Sequence, residues 1–502
     1  MYDLFLLGIH EVVHPYPLFL IFAGTVWGIA VGCIPGFTIT MGVALILPLT
    51  FGMTSIQGLS IMLGVLVGGL AGGQISGILL GIPGTPSSIA TVFDGHPMAK
   101  KGGPGNALCL GVWSSFFGGI IGFLMLLFFM PPLANIALKF GPWEFFSLII
   151  FGLTIIASLS GKSLTKGIIA GLLGLISATF GCDPITGIPR FTFNLPQLAG
   201  GFSFLPVLIG LFAFSQLMGS LEIREQISSG LILTSNFGFS SIKAIKTIFR
   251  QPVNLIRSSL VGIFVGALPG AGGSISNIMS YDQALKASKT PEKFGTGVPE
   301  GVIASEAANN GTGGGGLIPT MALGIPGDAI QAVLMGALIL HGIQPGPLLI
   351  VEFPGLVYGV FVAFFIAHFF MLFVQLYGIK LFVRLITVPL YILVPSILVF
   401  CAVGSFSIQN RFFDIWVLLI FGVLGYLMLK FKFPLAPMIL GVILGPIAET
   451  EFRRAFQTSD DYTLFFTRPI SLAFLILSVI SILYPLYQKY REKKRASNQA
   501  EA

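Results

Sequence analysis

Two tetrapeptides, Gly81-Ile82-Pro83-Gly84 and Gly324-Ile325-Pro326-Gly327, interrupt apolar runs of the chain. Proline lacks a backbone donor and glycine is a poor helix former, so each motif releases amides and carbonyls from helical bonding. A bilayer tolerates such backbone only where protein buries it or where it lines a watery cavity. Amides freed at the N-terminus of a half-helix, with the helix dipole behind them, attract an anion. Hydroxyl and amide side chains stand beside both breaks: Thr85, Ser87, Ser88 and Thr91 at the first, Asn309, Asn310, Thr312 and Thr320 near the second. Gly84, Thr85, Ser87, Ser88, Asn309, Asn310, Thr312 and Gly327 are therefore the candidate ligands of an anion. Neither core motif contains Lys or Arg, and an anion held by neutral donors can be released again, as a carrier requires. Carbonyls at Gly73, Gly81, Gly315 and Gly324, with Asp94 and Asp328, are the candidate ligands of a hard coupling cation such as Na⁺, joined by Asn310 or Thr312.

Each residue also has a plainer reading. Asp94-Gly95 is an ordinary turn or helix stop, and Asp328, directly after a glycine, can cap the next helix. Glu306 lies in the polar approach to the glycine run Gly313 to Gly316 and fits either reading. His96 and His341 adjoin Gly or Pro and read as interfacial loop residues, whereas His368 reads as a packed helix residue. Cys33, Cys109, Cys182 and Cys401 are isolated in apolar surroundings and read as small core residues, with no spacing that zinc requires. Walker A, GxSxG and HExxH sequences are all lacking, so no enzyme and no cofactor is expected.

The elements that must position these residues are membrane helices. The 502 residues are 54% hydrophobic and only 9% charged, against about 25% charged in a typical soluble domain. Apolar runs long enough to span a hydrocarbon core leave room for roughly ten to twelve crossings. The formal charge of +7 does not indicate nucleic acid, because Lys and Arg are scattered between apolar segments rather than gathered on one face. The first 99 residues hold no Lys or Arg, so no secretory leader is expected.

The chain also repeats itself. Gly28-x-x-x-Gly32-x-x-Pro35-Gly36 recurs as Gly262-x-x-x-Gly266-x-x-Pro269-Gly270, and each copy is followed by a glycine run and then by a break. Residues Gly73 to Gly95 read as a helix broken at Ile82-Pro83-Gly84, with a second helix beginning near Thr85. The expected organisation is a first repeat half over 1–221, a polar cytoplasmic linker over 222–257, a second half over 258–488, and a basic cytoplasmic tail over 489–502. The fold class is an all-α polytopic membrane protein with two broken or re-entrant motifs in two related repeats of inverted topology. Matched halves with matched interruptions are the sequence mark of a secondary transporter.

Gly81-Ile-Pro-Gly-Thr-Pro, Asp94-Gly-His-Pro-Met-Ala-Lys-Lys-Gly102, and Leu323-Gly-Ile-Pro-Gly-Asp with His341-Gly-Ile-Gln-Pro-Gly-Pro347 resemble the large membrane subunit of the tripartite tricarboxylate transporters. The likeness covers nearly the whole chain; one departure is His96, where the family is expected to carry an aromatic residue. The resemblance implies a bacterial inner-membrane importer of di- or tricarboxylates, citrate among them, driven by an Na⁺ or H⁺ gradient. It also implies two partners, a periplasmic solute-binding protein and a small membrane subunit of about four spans. An elevator-like motion of the elements around Gly72 to Asp94 and Asn309 to Asp328 is the expected mechanism. A channel using the glycine-rich breaks as a filter and a non-transporting membrane scaffold are the competing readings.

Overall fold

A backbone inside hydrocarbon must satisfy its own polar groups, and apolar runs do so by folding as helices. The computed structural model describes residues 2–159, 163–183, 185–222, 240–386, 388, 390–407 and 409–500. It is almost wholly helical, the exception being a ribbon of two short antiparallel strands, Gly181–Cys182 and Pro189–Arg190. Among the described residues, 7 helices are long and apolar enough to cross a membrane, and further apolar helices, such as Pro252–Ala267 and Ala329–Leu340, are shorter. The chain is thus an all-α polytopic membrane protein. Residues 223–239 of the expected linker, Arg224 among them, lie outside the described residues; the rest of that linker holds the helix Ser241–Phe249 and the start of Pro252–Ala267.

The chain divides into two compact units, Met1–Ala137 with Leu208–Tyr426, and Leu138–Val207 with Leu427–Ala502. Both breaks belong to the first. Its interior is built on two helix pairs that use the repeated glycines in the same way. Pro15–Cys33 lies on Ser55–Leu80: a methyl added at Gly28 would meet the carbonyl oxygen of Val65, and one at Gly32 that of Gly69 at 2.6 Å. Pro252–Ala267 lies on Pro299–Leu323: a methyl at Gly262 would meet the carbonyl of Ala308, and one at Gly266 that of Thr312 at 2.5 Å. The contacts are reciprocal, since Gly72 faces the Ile29 carbonyl and Gly315 faces that of Ile263. Position for position, the two pairs are the same object.

The central helix of each pair is enclosed by protein, with side chains buried from Gly58 to Leu80 in one and from Gly301 to Ala322 in the other. The second is not apolar enough to count as a span despite its length, because Glu306, Asn309 and Asn310 lie on it. Enclosure by neighbouring helices is what permits that polarity.

Two expectations about local structure are corrected. Asp94-Gly95 does not stop a helix; Ile89–Gly102 runs through both residues and through Pro97. Gly95 is needed for approach, since a methyl there would lie 2.8 Å from the Ile78 side chain. Cys182 is exposed at the ribbon rather than packed in a core, unlike Cys33, Cys109 and Cys401.

The second unit has its own core. Gly174 and Gly441 let Leu164–Ala178 and Leu435–Thr458 approach backbone to backbone. Pro142–Leu159 is tied to the C-terminal helix Pro469–Ala500 by Ser147 and Ser471 (2.8 Å), by Glu144 with Arg468, and by the Arg468 guanidinium 4.8 Å from the Trp143 ring centroid. Asp183 holds the ribbon. Its Oδ1 accepts the amides of Ile185 (2.8 Å) and Thr186 (3.0 Å), while Arg453 reaches its Oδ2 at 2.8 Å and both Arg190 and Arg453 bind Glu449.

The two amides, and then Arg453, hold the Asp183 carboxyl down to about 2. An unfolded Asp titrates near 3.9, so its stabilising contribution is whole above about pH 4 and disappears as pH falls toward 2. Asp183→Asn should lower the thermal midpoint by an amount that stays constant from about pH 5 to 8. Comparing melting curves of the two proteins across that range checks this. A second comparison tests the glycine contacts: Gly262→Ala should destabilise by at least the roughly 1–3 kcal/mol of an overpacked core. Gly219→Ala, at a helical site where a methyl meets nothing within 4 Å, should be neutral or stabilising in the same melt.

Candidate functional site

Each central helix ends on a glycine in the left-handed region, Gly81 at φ 73° and Gly324 at φ 69°, where L side chains are strained. The chain then folds back against the helix it has just left. The Gly84 amide donates to the Gly73 carbonyl at 3.2 Å, and a methyl at Gly327 would lie 3.1 Å from Gly316 Cα; the Gly327 carbonyl also accepts from the Gly270 amide at 2.7 Å. A side chain at Gly84 would strike the Gly32 carbonyl, and one at Gly327 that of Gly266, so the break of each half rests on the Gly-Pro-Gly motif of the same half.

The residues that restart the chain also correspond. Thr85 forms a capping box with Ser88 at the 3₁₀ turn Pro86–Ser88, which leads into Ile89–Gly102. In the second half Asp328 is the cap of Ala329–Leu340, accepting the amides of Ile330 and Gln331, each at 2.9 Å. Ser88 and Gln331 then lie against Gly73 and Gly316. Gly316 rather than Gly315 is therefore the partner of Gly73 beside the break; Gly315 faces Ile263. The Gly73 carbonyl is engaged by the Gly84 amide and, at 3.4 Å, by the Ser76 hydroxyl. The end of the first central helix carries a further device: His96 Nδ1 lies 2.9 Å from the Ile78 carbonyl, and its ring packs over Gly81.

The two halves meet on the helix Gly272–Ala287. A methyl on Gly273 would lie 2.8 Å from Ser87 Cβ and 3.2 Å from Asn309 Oδ1, so a residue just past the first break and one in the middle of the second interrupted helix converge on one glycine. One turn on, Asn277 accepts the Ala90 amide at 2.6 Å and donates to the Ser305 carbonyl at 3.0 Å. Ser276 and Thr312 share a 2.6 Å hydroxyl bond. Asn309 donates to the Leu70 carbonyl at 2.8 Å and Asn310 to that of Glu306 at 3.2 Å. Ser87, Asn309 and Thr312 are thus gathered along Gly272–Ala287, all buried, with Thr85 beside Ser87; Asn310, also buried, is bonded to its own helix.

The amide oxygens of Gln74, Asn309, Asn310 and Gln331 are buried without a hydrogen-bond partner. Each such acceptor costs about 1–3 kcal/mol unless a donor or a cation reaches it. Of these, the Asn309 oxygen lies beside Gly273 and Ser87, where hydroxyl donors can serve an anion and the amide oxygen a hard cation. Asp94 stands apart from this region. Its Oδ2 accepts the Tyr281 hydroxyl at 2.8 Å and its Oδ1 the amides of Gly297 (2.8 Å) and Val298 (3.0 Å), which fastens Ile89–Gly102 to the approach of Pro299–Leu323.

Sequence reasoning passed over Gln74, Asn277 and Gln331 and left Glu306 open. A signal was present for Glu306, since it and Asn310 lie four apart on one helical face, as do Ser305 and Asn309. Asn277 lies outside every motif singled out in the sequence, and nothing in its own helix marks its partner Ala90.

The family model described as the tripartite tricarboxylate transporter TctA family matches residues 18–440. An Agrobacterium vitis protein described as an uncharacterized 52.8 kDa protein in the TAR-I ttuC' 3' region is 35% identical over 490 residues, 97% of each chain. A second from that organism, described as an uncharacterized protein in the TAR-II ttuC' 3' region, is 36% identical over 234 residues, 46% of this chain and 97% of its own length. No solved structure matches.

Asp94→Ala removes three bonds that hold the segment before Pro299. Amide hydrogen exchange over residues 288–298 should then quicken by at least about tenfold, while exchange over Ser55–Leu80 stays as in the parent. An unchanged rate at 288–298 would contradict the fastening role.

Proposed function

Because the chain belongs to the tripartite tricarboxylate transporter TctA family, and so is a membrane subunit of a transporter, we propose that it imports a di- or tricarboxylate of the citrate type coupled to Na⁺ or H⁺. It works as the large subunit of a binding-protein-dependent secondary transporter in the bacterial inner membrane. Its partners are a periplasmic solute-binding protein and a small membrane subunit of about four spans, and its C-terminus is cytoplasmic. The observation that carries this reading is the convergence of Ser87 and Asn309 on Gly273, because it brings both interrupted helices to one buried polar region.

A carboxylate suits that region. Serine, threonine and asparagine side chains donate to its oxygens without the tight hold of an arginine fork. Asn309, Asn310 and Thr312 bind substrate with Gly84, Thr85, Ser87, Ser88 and Gly327. If the coupling cation is Na⁺, the carbonyls at Gly81 and Gly324 and the Asp328 carboxylate are its ligands; Asp94, held by Tyr281 and two amides, fastens its helix instead, and the Gly73 carbonyl is engaged by the Gly84 amide. The region is carried across the membrane by a sliding motion of the elements around Gly72 to Asp94 and Asn309 to Asp328. The supporting observation is that all of these elements fall in one of the two compact units.

Proteoliposomes holding the complete complex should show saturable, ion-dependent citrate uptake. Asn309→Ala should raise the half-saturating concentration by roughly ten- to a hundredfold, the effect of about 1.5–3 kcal/mol for a bond to a charged group. Non-saturating conductance in place of uptake would overturn the reading. Crosslinks from Ser87 or Asn309 to elements outside the moving set should stop transport; undiminished uptake in the crosslinked protein would remove the sliding motion.

A further inference from the structure

We propose that Glu306 is the proton-binding group of this transporter, so that the ion moved with the carboxylate is H⁺; the proposal rests on the transport reading above. Glu306 is fully buried on Pro299–Leu323. Its two oxygens are met by hydroxyls from two other helices. Thr91 Oγ1 on Ile89–Gly102 donates to Oε1 at 2.6 Å, and Ser115 Oγ on Pro104–Ala137 donates to Oε2 at 2.8 Å. Neither neighbour brings a positive charge.

Among the described residues the surrounding elements do not supply one either: Ser241–Phe249, which packs on the helix of Glu306 through Ala244 and Ile248, carries Lys243 and Lys246 on its exposed face. Ser55–Leu80 and Ala329–Leu340 contain no ionisable side chain. On Ile89–Gly102, Asp94 is bound by Tyr281 and two amides, His96 by the Ile78 carbonyl, and Lys100 and Lys101 lie at the far end. Pro104–Ala137 offers only Cys109, beside Ser241. Arg257 of Pro252–Ala267 donates to Asn254. Gly272–Ala287 carries Tyr281, on Asp94, and the exposed pair Asp282 and Lys286. On the helix of Glu306 itself, Glu300 accepts from Gln251, and nearby Leu349–Glu352 adds only the exposed Glu352. His368, on Pro354–Ile386, lies against Gly119, one turn beyond Ser115, with Nδ1 2.8 Å from the Phe364 carbonyl.

A carboxylate buried without a counter-charge is expensive, and such groups take up a proton instead. Thr91 Oγ1 and Glu306 Oε1 stand 2.6 Å apart, joined by a hydrogen. Hydroxyls suit both protonation states, because each can donate to a carboxylate or accept from an acid.

Protonation is also wired to the substrate region. Thr91 lies 3.1 Å from Ser305 Oγ and 3.5 Å from Asn277 Nδ2, and Asn277 holds the Ala90 amide in the first turn after Ser87 and Ser88. When the acid donates to Thr91, that hydroxyl must turn its own hydrogen elsewhere, and Ser305 is within reach. Asn310 is bonded to the Glu306 carbonyl one turn along the same helix.

The test uses the complete complex in proteoliposomes with citrate and tartrate as probes, an internal pH dye and no sodium gradient. A one-unit inward pH gradient should drive accumulation about tenfold per proton carried, with acidification of the lumen. Glu306→Gln should bring the accumulation ratio to about one. Infrared difference spectra in H₂O and D₂O supply a second readout. At neutral pH the parent should show a protonated-carboxyl stretch that Glu306→Gln removes, in protein whose elution and melting profiles match the parent. Uptake driven by sodium without proton movement, a Gln variant that still responds to the pH gradient, or a carboxyl band that survives the substitution would overturn the proposal. If the parent takes up neither acid, the transport reading fails, and the infrared band still decides whether Glu306 holds a proton.

Discussion

Backbone-to-backbone approach of helices is the constraint on which the first unit depends. Lipid offers no hydrophobic drive for joining helices, so close packing and the contacts it permits must supply the association. Gly28 and Gly32 against Val65 and Gly69, and Gly262 and Gly266 against Ala308 and Thr312, bring helix axes close enough for any side chain larger than hydrogen to collide with a carbonyl. The same glycines seat the breaks, since Gly84 lies on Gly32 and Gly327 on Gly266. Packing and site geometry therefore come from one set of residues.

That arrangement explains how a chain with so few charges accommodates a polar interior. Enclosing Ser55–Leu80 and Pro299–Leu323 within other helices removes them from lipid, and the second can then carry Glu306, Asn309 and Asn310. The repeat is strict in backbone and loose in side chains. Thr85 and Asp328 occupy the same capping position, as Ser88 and Gln331 occupy the same place against a glycine, yet they differ in charge and in donor number. A symmetric frame thus holds an asymmetric set of polar side chains.

The acidic residues of the first unit divide by what satisfies them. Asp94 accepts from a tyrosine and two amides and acts as a fastening; Asp328 accepts two amides and acts as a cap. Among the described residues, Glu306 receives two hydroxyls, from Thr91 and Ser115. An intramembrane carboxylate is a functional candidate by default, and donor identity is what separates these three.

Composition and motif spacing were enough, without coordinates, to indicate a polytopic helical membrane protein and the helix breaks after Gly81 and Gly324, and the motifs themselves carried the resemblance to its family. Those properties are local: a proline, a left-handed glycine or a long apolar run acts wherever it occurs. The flanking polar residues Ser87 and Asn309 were legible for the same reason. Which of them meet was not, because their contact runs through Gly273, a residue with no side chain and no motif of its own. Asn277 and Gln74 were hidden likewise, their partners lying far along the chain. Asp94-Gly95 read as a turn because the local signal favours one. Only the packed structure, which gives Asp94 three donors and sets Gly95 against Ile78, makes a continuous helix the better solution.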